Sequence, residues 1–238
     1  MKTWAKILGV VAVLAVGVAV AAEVTTVTGI NGIKFRLSEA SWRYKMTVNV
    51  ETPEGIKTGS AVREVTVKLV EPEIQGLYQT RTFVKGEAIA VDLGHRGILF
   101  AIMDTDGSYQ VVFDAFPGPS GFSKEGLEHY GHLAGSKIIS DPKKYPEYAQ
   151  LVTFSDLNNP LTVKGVHPEN LSSAFGEGVA IKDMVIEMTG EPITEKIKKW
   201  LPWLSTNKGG YLDGQFAGGG PELSNILHGG NFKQGESQ

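Results

Sequence analysis

The stretch from Trp42 to Val70 limits the possible folds of this chain more than any other. Apolar and polar residues alternate strictly from Trp42 to Glu51, which is the period of a β-strand with one buried face and one solvated face. Residues 52–55 (TPEG) follow, and proline and glycine at these places favour a tight turn. The chain then returns through a second apolar run to Val70. The stretch therefore predicts a β-hairpin.

The return strand of this hairpin carries an irregularity. Val62 lies in one phase of the apolar alternation, whereas Val65 and Val67 lie in the other. Because a slip of one residue would turn the whole strand over, the sequence predicts a β-bulge at residues 61–64. A single hairpin is marginally stable in water, so further strands must cover it.

Patterns elsewhere in the chain predict an α+β fold. Apolar runs predict strands at residues 33–37, 78–85, 87–93, 97–103, 109–113, 151–154 and 179–189. Helical patterns occur at residues 123–133, 168–175 and 194–204. The strands at 87–93 and 97–103 are apolar at nearly every position, so both of their faces are expected to be covered. We predict an antiparallel β-sheet built from hairpins, two or three short helices in the C-terminal half, and an N-terminal hydrophobic leader.

The leader indicates the compartment. Lys2 and Lys6 precede an uncharged apolar run from residue 7 to residue 22 that ends in alanines, which is the pattern of a secretory signal peptide. The run is also near the shortest length that spans a bilayer, so an uncleaved membrane anchor stays open. Both alternatives place the body outside the cytoplasm, because the lysines remain on the cytoplasmic side. We expect a cell-envelope protein, either periplasmic or anchored in the inner membrane.

Three segments are predicted along the chain. Residues 1–22 form the signal peptide or anchor, residues 23–205 form a single domain, and residues 206–238 form a flexible tail. The tail is predicted from its composition, because it contains many glycines and few residues that bury apolar surface.

Composition excludes several classes of function. The formal net charge is −3, and no basic stripe is visible, so nucleic acid is not expected as a partner. The chain has no cysteine, which excludes disulfides, thiolate metal sites and a cysteine nucleophile. It also lacks the glycine motifs that bind phosphate, so neither a nucleotide nor another cofactor is expected.

Two pairs of residues are candidates for metal binding. His129 and His132 have a spacing that places both imidazoles on one face of a helix, although nothing marks a third ligand. The alternative is a pair of exposed polar histidines. Asp104 and Asp106 begin a pattern similar to a calcium loop, but the rest of that pattern is missing. Asp106 precedes a glycine between two predicted strands, which favours a hairpin turn instead.

Asp92 and His95 are the candidates for catalysis. They flank Gly94, and an aspartate beside a histidine can orient a general base for a serine nucleophile. No serine with a supporting motif accompanies them. The alternative is a polar hairpin tip.

Trp200 and Trp203 form a concentrated apolar group with Lys196, Lys198 and Lys199 beside it. Tryptophan and lysine together suit contact with a membrane surface or a protein partner. The alternative is that the tryptophans pack on the sheet, as bulky apolar residues usually do.

Several strings resemble a family of proteobacterial proteins when they are taken together and in order. They are TVNVETPEGIKTGSAVREV (47–65), KGEAIAVDLG (85–94), LVTFSDLNNP (151–160), KIKKWLPWL (196–204) and LDG (212–214). That family carries an N-terminal signal or membrane segment and has no established activity. The resemblance implies an envelope location and brings no catalytic residues.

The sequence thus favours a non-enzymatic bacterial envelope protein that binds another protein or an envelope component. The expected partner is an envelope protein or the membrane surface. The alternative is a hydrolase or metal-dependent enzyme that uses the region of Asp92 and His95 or that of His129 and His132.

Overall fold

The computed structural model describes residues 23–28, 34–72, 79–207, 210–216 and 220–235. The predicted leader, residues 1–22, lies outside these ranges. The strands are β1 (Glu23–Thr28), β2 (Lys34–Thr52), β3 (Gly55–Pro72), β4 (Gln79–Glu87), β5 (Ile89–Asp92), β6 (Ile98–Ala101), β7 (Ser136–Ile139), β8 (Leu151–Phe154), β9 (Val163–Gly165), β10 (Ala180–Met188) and β11 (Lys233–Gln234). The α-helices are α1 (Thr105–Ala115), α2 (Lys124–Gly131), α3 (Tyr145–Tyr148) and α4 (Ser172–Phe175). Short 3-10 turns cover Gly94–Arg96, Pro142–Lys144, Pro160–Thr162, Ile197–Lys199, Pro202–Ser205, Leu223–Asn225 and Gly229–Asn231.

The predicted α+β class is wrong, because the described part of the chain is mainly antiparallel β-sheet. Strand residues make up 42% and helical residues 24%, and the helices are short. The larger sheet has the order β11-β4-β3-β2-β10-β7, with β1 beside β2, and the smaller sheet has the order β5-β6-β8-β9. The helix predicted at residues 194–204 is two 3-10 turns, since Pro202 interrupts helical hydrogen bonding. No helix in the described ranges is both long and apolar enough to cross a bilayer.

The predicted hairpin is confirmed as β2 and β3, which lie at the centre of the larger sheet. Thr52 Oγ1 donates to the carbonyl of Gly55 at 2.7 Å and closes the turn, and Gly55 has a φ of 111° that favours glycine. Alternate residues of β2 face the core and are at most 4% exposed. They are Trp42, Tyr44, Met46, Val48 and Val50.

The predicted bulge at residues 61–64 is wrong. The pairing of β2 with β3 runs without a shift from Phe35 opposite Pro72 to Thr52 opposite Gly55. The core-facing position between Ala61 and Val65 is occupied by Arg63, whose side chain is fully buried. A buried arginine therefore reads as a change of phase in the sequence, although the strand keeps its register.

The side chain of Arg63 lies between the two sheets. Its Nε donates to the carbonyl of Glu87 at 3.2 Å, and a terminal nitrogen donates to the carbonyl of Ala101 at 3.5 Å. The carboxylate of Glu87 does not pair with it but accepts from the backbone amides of Lys196 and Ile197, at 2.9 and 2.8 Å. These contacts connect β3, the end of β4, β6 and the C-terminal segment.

Val62 lies on the opposite face of β3 and is also buried. Its backbone amide donates to Thr194 Oγ1 at 3.2 Å, and the amide of Thr194 donates to its carbonyl at 3.3 Å. The C-terminal segment thus pairs with the edge of β3 at this point, beyond the end of its pairing with β4.

The prediction that β5 and β6 are covered on both faces is confirmed. Ile89, Val91, Leu99 and Ala101 belong to a core shared with the larger sheet. Their neighbours on the other face belong to a second core, which the C-terminal segment covers. That second core consists of Ala88, Ile98, Phe100, Ile102, Val152, Phe154, Val163, Ile197, Leu201, Trp203, Leu212, Leu227 and Phe232.

Part of the glycine-rich stretch after residue 205 packs against the smaller sheet. Leu212, Leu227 and Phe232 are buried in the second core, and β11 adds Lys233 and Gln234 to the edge of β4. The expectation of a loose tail was drawn from the glycine content. That expectation did not take into account the apolar residues that lie between the glycines and are buried in the second core.

The strand predicted at residues 109–113 is wrong, because this stretch lies within α1. Asp104 is the N-cap of this helix, and its carboxylate accepts from the amide of Gly107 at 3.0 Å. The DTDG string is therefore a helix start and not the predicted hairpin turn. The helix predicted after Ser123 is confirmed as α2, with Ser123 Oγ accepting from Gly126 N at 3.1 Å.

Substitution of Gly59 by alanine should destabilise the packing of the two sheets. A Cβ atom at this position would lie 2.3 Å from the carbonyl oxygen of Ala90 in β5. We expect the free energy of unfolding in urea to fall by about 1–3 kcal/mol. The matched control is Ser60→Ala, which is exposed on the other face and should change it by about 0.5 kcal/mol or less. Equal stability of the two variants would contradict the close approach.

Acid should weaken the contact between two turns. The carboxylate of Glu54 pairs with Arg96 at 2.8 Å, and this hydrogen-bonded guanidinium lowers the pKa of Glu54 from 4.5 to about 2. The contribution of the pair is therefore present above pH 4.5 and is lost as the pH falls towards 2. We expect the urea midpoints of the wild type and Glu54→Gln to differ at pH 6 and to converge near pH 2. A difference that is independent of pH would be inconsistent with this ion pair.

Candidate binding pocket

A pocket lies between α1, α2 and the loop that joins them. The loop, residues 116–123, reads FPGPSGFS, and its prolines and glycines prevent a continuous helix. The carbonyl of Ser120 accepts from both the amide and the hydroxyl of Ser123, at 3.0 and 2.9 Å. The start of α2 thereby holds the end of the loop in place.

Two glycines allow the loop to approach the helices closely. A Cβ atom at Gly121 would lie 2.0 Å from the ring of Phe113, and one at Gly126 would lie 1.8 Å from the carbonyl oxygen of Ser120. A larger residue would displace the ring of Phe113 at the first position and the backbone of Ser120 at the second. The sequence therefore specifies this loop conformation through glycine at both positions.

Aromatic rings form the floor and walls of the pocket. The ring centroid of Phe113 lies 4.6 Å from that of Tyr130 and 5.7 Å from that of Phe122. Beneath them, Trp42 of β2 lies 5.6 Å from Tyr130. Tyr109 of α1 lies 5.4 Å from Phe122 on the outer side. Aromatic pairs at these distances add to the stability of the packing, so the pocket is connected directly to the hairpin core.

The pocket has a volume of about 250 Å³ and carries no formal charge. It is lined by Phe113, Pro117, Gly118, Pro119, Ser120, Gly121, Phe122 and Tyr130. The hydroxyl of Tyr130 donates to the carbonyl of Phe116 at 3.3 Å. Burial, assisted by the nearby charge of Asp114, raises the pKa of Tyr130, so this side chain stays neutral at physiological pH. The lining suits a small uncharged group with an apolar or aromatic surface.

Two buried nitrogens next to the pocket have no hydrogen-bond partner among the described residues. They are Nε1 of Trp42 and Nε2 of His129. His129 packs tightly against the pocket wall, since a Cβ atom at Gly118 would lie 2.5 Å from its Nε2. Its ring also meets that of Tyr130 at 4.8 Å.

The two histidines proposed as metal ligands have different surroundings. Nδ1 of His132 lies 2.9 Å from the carbonyl of Glu128, whereas Nε2 of His129 is enclosed against Gly118. No group of three or more potential ligands suited to a metal ion occurs in the part of the chain that the structure describes. Asp104 is engaged as the cap of α1, and the side chain of Asp106 lies outside the described part.

Asp92 and His95 lie at the turn between β5 and β6. The carboxylate of Asp92 accepts from the amide of Gly94 at 2.9 Å, and this contact closes the turn. His95 is exposed in the 3-10 turn that follows. The geometry thus gives Asp92 a local structural role.

The two tryptophans near the C-terminus differ in burial. Trp203 lies in the second core, with its ring 5.5 Å from that of Phe232 and 6.0 Å from that of Phe154. Trp200 is half-buried, and Nζ of Lys199 lies 5.3 Å from its ring centroid. Trp203 therefore packs on the smaller sheet.

Comparisons of this chain with models of protein families, with curated proteins and with solved structures gave no match. The resemblance to a proteobacterial envelope family stays a prediction.

The residues that line the pocket were not among the sites predicted from the sequence. Phe113 falls in the strand predicted at residues 109–113, and Phe122 lies just before the helix predicted at residues 123–133. The signal that was available is the concentration of aromatic residues on both sides of a proline- and glycine-rich run. A proline- and glycine-rich run can keep the rings on its two sides apart when both of its ends are fixed to a core. The sequence does not show that these ends pack on Trp42.

Proposed function

We propose that this protein is a non-enzymatic component of the bacterial envelope, and that it binds another protein or an envelope component through the pocket between α1 and α2. The apolar leader and the family resemblance support the location. The uncharged aromatic pocket supports binding, and it is the observation on which the proposal depends.

The chemistry of the pocket indicates which part of a ligand it receives. Aromatic faces and proline rings attract apolar or aromatic groups, and the absence of charge in the lining disfavours ions. The volume is below the range of about 300–1,000 Å³ that is typical for whole small-molecule ligands. The pocket therefore suits one side chain or ring of a larger partner, which would also contact the surrounding surface.

The position of Phe122 fits this role. It is 40% exposed, and it lies at the rim while its ring meets Phe113 and Tyr109. An exposed aromatic residue beside a pocket is a typical contact in protein recognition. Its neighbours in the loop are fixed by the contacts of Ser120 and Ser123, so little conformational entropy is lost on binding.

Photo-crosslinking in cells tests the proposal. A benzoylphenylalanine at the position of Phe122 should give a discrete adduct with one partner. The same group at Phe216, which is 84% exposed and does not line the pocket, should not. Adding Ser120→Trp, which fills the pocket, should remove the adduct, whereas the exposed control Ser173→Trp should leave it.

Two results of the crosslinking would contradict the proposal. An adduct that is the same from both positions, or one that persists with Ser120→Trp, would show that the pocket does not receive the partner. Circular dichroism of each variant, compared with the wild type, confirms that the fold is retained.

A further inference from the structure

The solvent face of the larger sheet carries an apolar area at the end where β1 joins it. Val27 lies opposite Phe35, and Leu37 lies opposite Val70. Directly paired residues project to the same side of a sheet. These four residues, which we call the outer patch, therefore share the face that lies away from Trp42 and the core.

The outer patch differs from the rest of the hairpin on this face. Farther along the hairpin, the same face carries polar pairs, with Ser41 2.7 Å from Thr66 and Arg43 2.7 Å from Glu64. Val27 is 43% exposed, and the other three residues of the outer patch are half-buried. On the hairpin, an apolar area beside such polar pairs indicates a contact surface. Ile138 of β7 is a separate exposed apolar residue on the same face, two strands away from β2.

Basic and aromatic side chains border the outer patch on the same face. Arg81 is exposed and lies opposite Lys68, and Lys68 pairs with Glu39 at 2.9 Å. Phe83 is also exposed, and Nζ of Lys68 lies 5.7 Å from its ring centroid. Apolar, aromatic and basic residues together are the composition that contacts the interface of a bilayer containing anionic lipid.

The connection to the leader favours the bilayer over other occupants. The apolar run of residues 7–22 is followed directly by Glu23, which is the first residue of β1 and pairs with Glu39. No linker separates the run from the sheet. Val27 lies four residues farther along the strand, a distance of about 13 Å, so a membrane that holds the run is within reach of the outer patch.

We propose that the outer patch lies on the surface of the lipid bilayer. This inference rests on the proposed envelope location, with the leader retained as the membrane anchor. The partner is the interfacial region of the bilayer, where Val27 and its three neighbours contact acyl chains and Arg81 contacts lipid phosphate. The pocket between α1 and α2 belongs to a different part of the molecule and does not take part in this contact.

Because the sequence has no cysteine, a single introduced cysteine is the only thiol that a thiol-reactive fluorophore can label. The full-length chain is reconstituted into vesicles that contain anionic lipid and a doxyl-labelled lipid quencher. An environment-sensitive fluorophore is attached at Val27→Cys. The matched control is Leu161→Cys, which is 56% exposed and lies in the turn between β8 and β9 of the smaller sheet.

The emission of the label at Val27→Cys should shift to the blue and be quenched by the doxyl lipid, whereas that at Leu161→Cys should show neither change. Equal quenching at both positions, or none at Val27→Cys, would overturn the inference. The inference would also be overturned if the protein in the membrane fraction were found to lack residues 1–22. None of these results affects the photo-crosslinking at Phe122, so failure of the two proposals can be told apart.

Discussion

The rest of the structure depends on one buried cation. The guanidinium of Arg63 lies where the two sheets meet and donates to carbonyls from two other strands, at Glu87 and Ala101. Arg63 takes part in none of the ion pairs found among the described residues. A buried charge without a paired carboxylate is costly unless hydrogen bonds replace its water. The backbone carbonyls supply those bonds and join β3 to the end of β4 and to β6. The carboxylate of Glu87 in turn holds the C-terminal segment.

Residues near the hairpin show how far the sequence predicts the fold. The strict alternation from Trp42 to Val50 was sufficient to predict β2 and its buried face, because burial on one side of a strand has a period of two. The same rule failed at Arg63 in β3. A charged residue is expected on the solvated face of a strand, but this side chain is buried. The α+β class was wrong because short helices and 3-10 turns depend on caps and tertiary contacts. Asp104, read as part of a turn, is one such cap.

The two candidate surfaces both depend on β2, but the sequence alone identified neither. The pocket is supported from below by Trp42, and its rings come together only because α1 and α2 pack on that residue. The outer patch appears only when the registers of β1 and β3 with β2 are known, since Val27 and Val70 are far apart in the chain. Local patterns report which face of a strand is buried. They do not report which distant residues become neighbours.

The stability of Arg63→Met in urea tests the role of the buried guanidinium most directly. Methionine fills a similar volume but cannot donate to the carbonyls of Glu87 and Ala101. Because each buried polar group that loses its partner costs about 1–3 kcal/mol, we expect the free energy of unfolding to fall by about 2 kcal/mol or more. Replacement of buried charges by apolar residues is often neutral or stabilising. Unchanged or increased stability of Arg63→Met would therefore contradict the central role of this side chain.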